Sequence, residues 1–339
     1  MKRQFLPFVV LLLISCSLLG VPVPTRPPAS VVIPTGTATA ITSTPLPTVT
    51  LAPYEQYTID YLQRRTYGGG NLEILEKLAE SDSFTSYSVR YPSDGLNIYG
   101  FMNVPKGAGP FPVIISIHGY AAYGTYDLFN PAQDSASFLA ANHFIVIHPG
   151  LRNHPPSDSG DNLLRVGMTL DVMNLIALVK ARSGLPPELV VAASDQIGLW
   201  GVSMGGEIAL RLITLSPEVK AAVLYSPLSG NPERNSRQLY AITRDEEFAK
   251  DFAVPLEMLD RVSSVYYYSK ITSAVQLHHG TADTTAPISW AVETCDFLKA
   301  AGTSVQCIFY QDAGHVFGGE TLRQLRRSAL EFYRTHLLP

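Results

Sequence analysis

Short continuous apolar runs alternate with helically spaced ones along most of this chain. Val113 to Ile117, Phe144 to Ile147, Ile197 to Val202, Ala221 to Tyr225, Val275 to Leu277 and Val305 to Tyr310 are largely apolar at successive positions. Strands covered on both faces have this pattern, which implies a mostly parallel sheet. Between them, Leu163 to Ala181 carries Leu163, Val166, Leu170 and Met173 on one stripe, and Glu207 to Leu215 reads as a second helix. Upstream, Phe84 to Tyr91 and Leu96 to Val104 alternate across Pro92-Ser93-Asp94-Gly95, which predicts an antiparallel β-hairpin. Tyr54 to Glu80 reads as a helical lead. The expected fold class is α/β: a mostly parallel sheet with an antiparallel N-terminal hairpin, helices on both faces and a cap insertion. That insertion, residues 228–270, carries Tyr240, Phe248, Phe252, Leu256, Met258 and Tyr266-Tyr267-Tyr268, and its place between two strands predicts a roof over the sheet's rim.

The N-terminus has a different pattern. Lys2 and Arg3 precede an apolar run from Phe5 to Ile14 that is too short to span a bilayer stably, so residues 1–15 read as a signal peptide. Leu13-Ile14-Ser15-Cys16 resembles the lipobox of bacterial lipoproteins, which implies cleavage before a lipidated Cys16 and anchoring to the outer face of a bacterial membrane. If Cys16 is not modified, the product is secreted. Residues 16–53 are rich in Pro and Thr and cannot bury a core, so they form a tether for a folded domain over 54–339. At 46% hydrophobic and 16% charged residues with a formal net charge of −4, the 339-residue chain has no basic excess for nucleic acid. Cys295 and Cys307 fall on an expected helix face with Val292 and Leu298 and on a strand face with Val305 and Phe309. An exported location permits a disulfide, but the favoured expectation is a pair of free, buried thiols.

Candidate chemistry centres on Gly201-Val202-Ser203-Met204-Gly205-Gly206, where a strand runs into G-x-S-x-G and then into a helix. Composition alone would place a bare G-x-S-x-G in roughly one chain of this length in ten. Context adds specificity, because Asp283 in His279-Gly280-Thr281-Ala282-Asp283 and His315 in Asp312-Ala313-Gly314-His315 follow in the order Ser, Asp, His. A serine hydroxyl is a poor nucleophile near neutral pH and needs a base with a third group to orient it. Ser203, His315 and Asp283 are the expected catalytic residues. Asp312, His278 and His279 are weaker competitors, and no tight metal-ligand motif is present. For the developing oxyanion, the backbone N–H groups of Met204 and of Tyr120, in His118-Gly119-Tyr120, are the candidate donors. The alternative for Tyr120 is a packing aromatic.

From about Phe84 onward the chain resembles the catalytic domain of the prolyl oligopeptidase family within the α/β-hydrolase fold. The motifs above carry the resemblance, together with Asp195-Gln196-Ile197-Gly198, Ser264 to Ile271 and Pro287. It implies a cofactor-free serine hydrolase working through an acyl-enzyme, and leaves the bond open, because esterases share this domain type. Leu151-Arg152-Asn153-His154-Pro155-Pro156-Ser157-Asp158 stands where many family peptidases have an Arg-Gly-rich loop, so Arg152 is a candidate for binding a substrate carbonyl. Only some 30 residues separate the linker from the hairpin, too few for a β-propeller at about 40 residues per blade. The expected substrates are therefore small carboxylic esters and short peptides. A peptidase acting on short peptides is the alternative. A non-catalytic binding lipoprotein is the reading from a different class, and it would be marked by a missing triad member. Nothing in the sequence fixes the oligomeric state.

Overall fold

In the computed structural model, residues 52–122, 124–128 and 132–338 are described. The expected signal peptide, Cys16 and the linker as far as residue 51 lie outside them. At the N-terminal side of the sheet, β1 (Glu73–Glu80), β2 (Phe84–Ser93) and β3 (Leu96–Pro105) are antiparallel neighbours. The sheet continues with β4 (Phe111–Ile117), β5 (Ile145–Gly150), β6 (Ala192–Val202), β7 (Val219–Tyr225), β8 (Ala274–Gly280) and β9 (Val305–Tyr310). The order is β1-β2-β3-β5-β4-β6-β7-β8-β9, antiparallel as far as the β3–β5 pairing and parallel from there on.

The continuous apolar runs of β4 to β8 are buried on both faces, as a parallel sheet between helical layers requires, whereas the edge strand β9 leaves Gln306 and Phe309 exposed. One apolar layer joins Val113, Ile115 and Leu199 of the sheet to α1 (Ile59–Arg64), α3 (Val166–Ala181), α4 (Met204–Leu215) and α8 (Ile288–Ala300). The other joins Ile114, Val146 and Val223 to α2 (Ala132–Ala140) and α9 (Gly319–Leu337). Between β7 and β8 the insertion runs through α5 (Pro232–Thr243), α6 (Glu246–Ala249) and α7 (Leu256–Val262), with short 3-10 turns after α6 and α7.

Three expectations need correction. Residues 73–80, read as part of a helical lead, form the edge strand β1, with Glu73 opposite Arg90 and Glu80 opposite Thr85. Pairing with β2 satisfies one side of its backbone, and charged side chains suit a strand whose other edge faces water. The helix expected from Leu163 instead begins with a 3-10 turn and a break at Leu164 and Arg165, whose φ values are 51° and 58°.

The third correction concerns the cysteines, which are joined in a Cys295–Cys307 disulfide rather than standing as free thiols. Helix α8 packs beside β9 and brings the two Cα atoms to 6.4 Å across a sequence separation of 12, within the span a disulfide bridges. The faces expected to bury them are also less apolar than the pattern suggests, since Val292 and Phe309 are exposed. Serine at both positions is expected to lower stability by about 3 kcal/mol, the loop-closure value for a loop of this size. Thermal unfolding of the double variant against the oxidised protein checks this, and equal midpoints would contradict it.

Candidate active site

The carboxyl ends of β6, β8 and β9 converge on one rim, where side chains far apart in sequence meet. Ser203 sits on the turn between β6 and α4 with φ 54° and ψ −113°, outside the ordinary regions for a residue with a Cβ. Neighbours hold this strained turn in place. Ser203 N–H donates to Tyr225 O at 2.9 Å, and its carbonyl accepts from Gly206 at 2.9 Å and Leu228 at 3.1 Å. Glycine is required at 205, because a Cβ there would collide with the carbonyl oxygen of Ile117 on β4. The same absence of a side chain lets α4 start directly under the loop that leaves β4.

His315 Nε2 lies 2.9 Å from Ser203 Oγ, and His315 Nδ1 lies 2.7 Å from Asp283 Oδ2. With Asp283 as acceptor, Nδ1 carries the hydrogen and Nε2 presents a lone pair to the serine hydroxyl. Asp283 Oδ1 accepts the backbone N–H groups of Thr285 at 2.8 Å and Ala286 at 2.9 Å. Burial pushes the Asp283 carboxyl upward, but hydrogen bonds from His279, His315 and the Ala286 N–H, with the field of His315, outweigh it. The carboxyl is held well below its usual range. Of the rival residues, His278 bonds Tyr310 Oη and Gln276, the Asp312 carboxylate accepts from Gln311 Nε2 at 2.8 Å, and His279 lies beside Asp283, bonded to the Ala286 carbonyl.

The loop after β4 passes close to the serine, since a Cβ on Gly119 would lie 3.4 Å from Ser203 Cβ. His118 Nδ1 donates to the Gly119 carbonyl at 2.7 Å, and burial beside His154 and His148 holds its ring well below the usual histidine range, hence neutral. Met204 is the first residue of α4, so its N–H has no intrahelical acceptor and points outward at the positive end of the helix dipole. Tyr120 reaches the insertion with its side chain. Its Oη donates to Asp245 Oδ2 at 2.8 Å, its ring lies 5.2 Å from that of Phe248, and burial together with Asp245 pushes the phenol up to about 12.

A cavity of about 650 Å³ opens beside Met204 and Tyr120, lined also by Asn153, His154, Arg165, Asp245 and Phe248. The loop after β5 forms one wall and the insertion another. Arg152, a candidate for carbonyl binding, does not face this space with a free donor. Its Nε and Nη2 bond the buried Asp171 carboxylate, and its Nη1 donates to Asp161 O at 2.9 Å. It is a buried structural cation, because Asp171 on α3 would otherwise be a carboxylate in an apolar layer.

Arg165, absent from the expected site, lines the cavity and joins Glu207 of α4 at 2.8 Å to Asp251 of the insertion at 2.9 Å. No local motif marks it in the sequence, because its partners lie on α4 and in the insertion, far along the chain. Among the described residues, no group of His, Cys, Asp and Glu is arranged to hold a metal ion.

A mixed sheet of this order, with a serine on the strand–helix turn of a central parallel strand, defines an α/β-hydrolase-fold enzyme of the serine hydrolase class. Residues 178–338 match the profile of the prolyl oligopeptidase family. A protein of Escherichia coli K12 provisionally named a carboxymethylenebutenolidase is 25% identical over 258 residues, covering 70% of this chain and 80% of that protein. Among solved structures, acetyl xylan esterase 1 from a Thermoanaerobacterium species shares 20% identity with a TM-score of 0.61, covering 82% of this chain and 94% of the esterase. The acylaminoacyl peptidase of Pyrococcus horikoshii shares 17% identity with a TM-score of 0.57, covering 80% of this chain and 49% of the peptidase.

Proposed function

We propose that the protein is a cofactor-free serine esterase that cleaves small carboxylic esters through an acyl-enzyme, with activity on short peptides as a secondary capacity. The observation that carries this reading is the hydrogen-bonded chain from Ser203 Oγ through His315 to Asp283 at the N-terminus of α4. Ser203 attacks the acyl carbon as His315 Nε2 takes its proton, and Asp283 holds the Nδ1 hydrogen and stabilises the imidazolium. The N–H groups of Met204 and Tyr120 receive the oxyanion. His315 then protonates the leaving alcohol, and the same groups activate water to release the acid.

Two observations support esters over peptides as the main substrates. Residues 52–80, upstream of the hairpin, pack as α1 and β1 against the domain rather than standing apart as a gate. The relatives matched over most of their length are named as a carboxymethylenebutenolidase and an acetyl xylan esterase. The family profile favours the second reading, a peptidase acting on short peptides. Matched short-chain nitrophenyl esters and Ala- or Pro-terminated peptidyl nitroanilides decide between them. Ester kcat/KM is expected to exceed amide kcat/KM by orders of magnitude, and efficient amide cleavage with negligible ester turnover would reverse the ordering. Lipidation at Cys16 and an exported location belong to the same proposal, supported by the Cys295–Cys307 disulfide, a bond that persists in oxidising compartments.

A further inference from the structure

His279 is a buried titratable group next to Asp283 that the mechanism above does not use. It lies near the end of β8, fully buried, with Nε2 2.8 Å from the Ala286 carbonyl and 3.2 Å from Asp283 Oδ2. A carbonyl only accepts, so Nε2 carries the hydrogen and shares it between these two oxygens. Nδ1 is buried without a partner, so the ring's hydrogen bonding is spent entirely on the Asp283 loop.

We infer that His279 is a positioning residue of the triad: its Nε2–H competes with His315 for Oδ2 of Asp283 and so sets how strongly Asp283 stabilises the protonated base. The inference rests on the triad reading above. Oδ1 is committed to the Thr285 and Ala286 backbone, so Oδ2 is the oxygen on which the two histidines meet. Hydrogen bonds to a charged acceptor disperse its charge. Removing one of the two ring donors leaves more charge facing His315, favours its protonated form and moves the acid limb of the pH–rate profile upward.

The other titratable groups around the pair sit on four elements. His278 on β8 turns to the opposite sheet face and bonds Tyr310 Oη on β9 at 2.9 Å. Tyr225 on β7 accepts the Phe317 N–H, is raised chiefly by burial, and feels both Asp283 and Arg326 of α9. All four stay in place when position 279 is changed, so a shift of the limb reports on that position.

The test uses the full chain and a fluorophosphonate probe, whose second-order inactivation rate against pH reads the base without knowledge of the substrate. Ser203→Ala must abolish labelling; if it does not, the triad reading fails and this inference with it. With that control met, H279L and H279N are expected to move the acid limb up by about half a pH unit, a fraction of the worth of a hydrogen bond to a charged group. H279Q restores a donor near the Nε2 position and is expected to return the limb to the wild-type value. An unmoved limb in H279L and H279N, or an equal shift in H279Q, would show that His279 only packs the loop. Nitrogen NMR of the wild-type ring gives a check independent of variant folding: the Nε2–H tautomer is expected, and the Nδ1–H tautomer would overturn the inference.

Discussion

Alanine at position 203 is expected to lower kcat/KM on the protein's ester substrates by about a millionfold while leaving the thermal midpoint nearly unchanged. The magnitude is that of removing the nucleophile from a triad acting as a unit, where binding and the oxyanion donors leave only a small residual rate. Stability should be indifferent because Ser203 is held through its backbone, by Tyr225, Gly206 and Leu228, and alanine keeps those bonds. Asp283→Asn should cost less in rate, about ten-thousandfold, since nucleophile and base survive and the base takes the wrong tautomer. It should cost more in stability, because the amide has one accepting oxygen, so either the two ring donors or the two backbone N–H groups that now meet the carboxylate would face an NH2 donor instead. The pH dependence has a definite sign. A carboxyl held below its ordinary range contributes stability that is complete above the unfolded value and is lost as pH falls through the folded one. Asp283 therefore stays ionised near neutral pH. Steady-state kinetics with thermal unfolding on both variants checks the pair of expectations. More than a few per cent of activity in Ser203→Ala would assign the nucleophile elsewhere.

Much of this architecture was legible because burial on both faces leaves a plain mark. Val113 to Ile117 and Ile197 to Gly201 are apolar at nearly every position because both faces of each strand are buried there. β1 escaped for the opposite reason. Glu73, Glu76, Lys77 and Glu80 suit an exposed edge, and Ile74 and Leu78 sit four apart, so the segment also fits a helix; only its pairing with β2 decides. Ser203, Asp283 and His315 could be proposed from chain order, since a strand-end motif fixes where each residue emerges. Arg152 could not be assigned in that way. Its role depends on Asp171, which lies on a different element, and a charge on a loop reads the same whether it faces substrate or a buried carboxylate. The disulfide was hidden similarly, because a separation of 12 residues does not reveal that α8 lies against β9.

The least legible feature leads to the largest expected loss of stability. Arg165, Arg211, Glu207 and Asp251 form a buried cluster of two cations and two anions drawn from α3's leading turn, α4 and the insertion. Arg165 also donates to Pro232 O at 2.7 Å, and Asp251 accepts from Leu164 N–H and Ser236 Oγ, so the cluster fastens the insertion to the helix that follows Ser203. Burial lowers the Arg211 guanidinium to about 10, the mark of a cation kept dry and dependent on its partners. Arg165→Met leaves two carboxylates facing one guanidinium. Breaking a buried ion pair from one side typically costs about 3–5 kcal/mol, which for a domain of this size corresponds to roughly 6–20 °C in thermal midpoint. Because Arg165 also lines the cavity, KM should rise more than kcat falls. The double variant Arg165→Met/Asp251→Asn restores charge balance and should recover part of the loss, a non-additivity that surface residues do not show. A midpoint within 2 °C of wild type in Arg165→Met alone would mean that the insertion is held by its apolar contacts, through Leu239, Phe248 and Met258, and that the buried charges are dispensable.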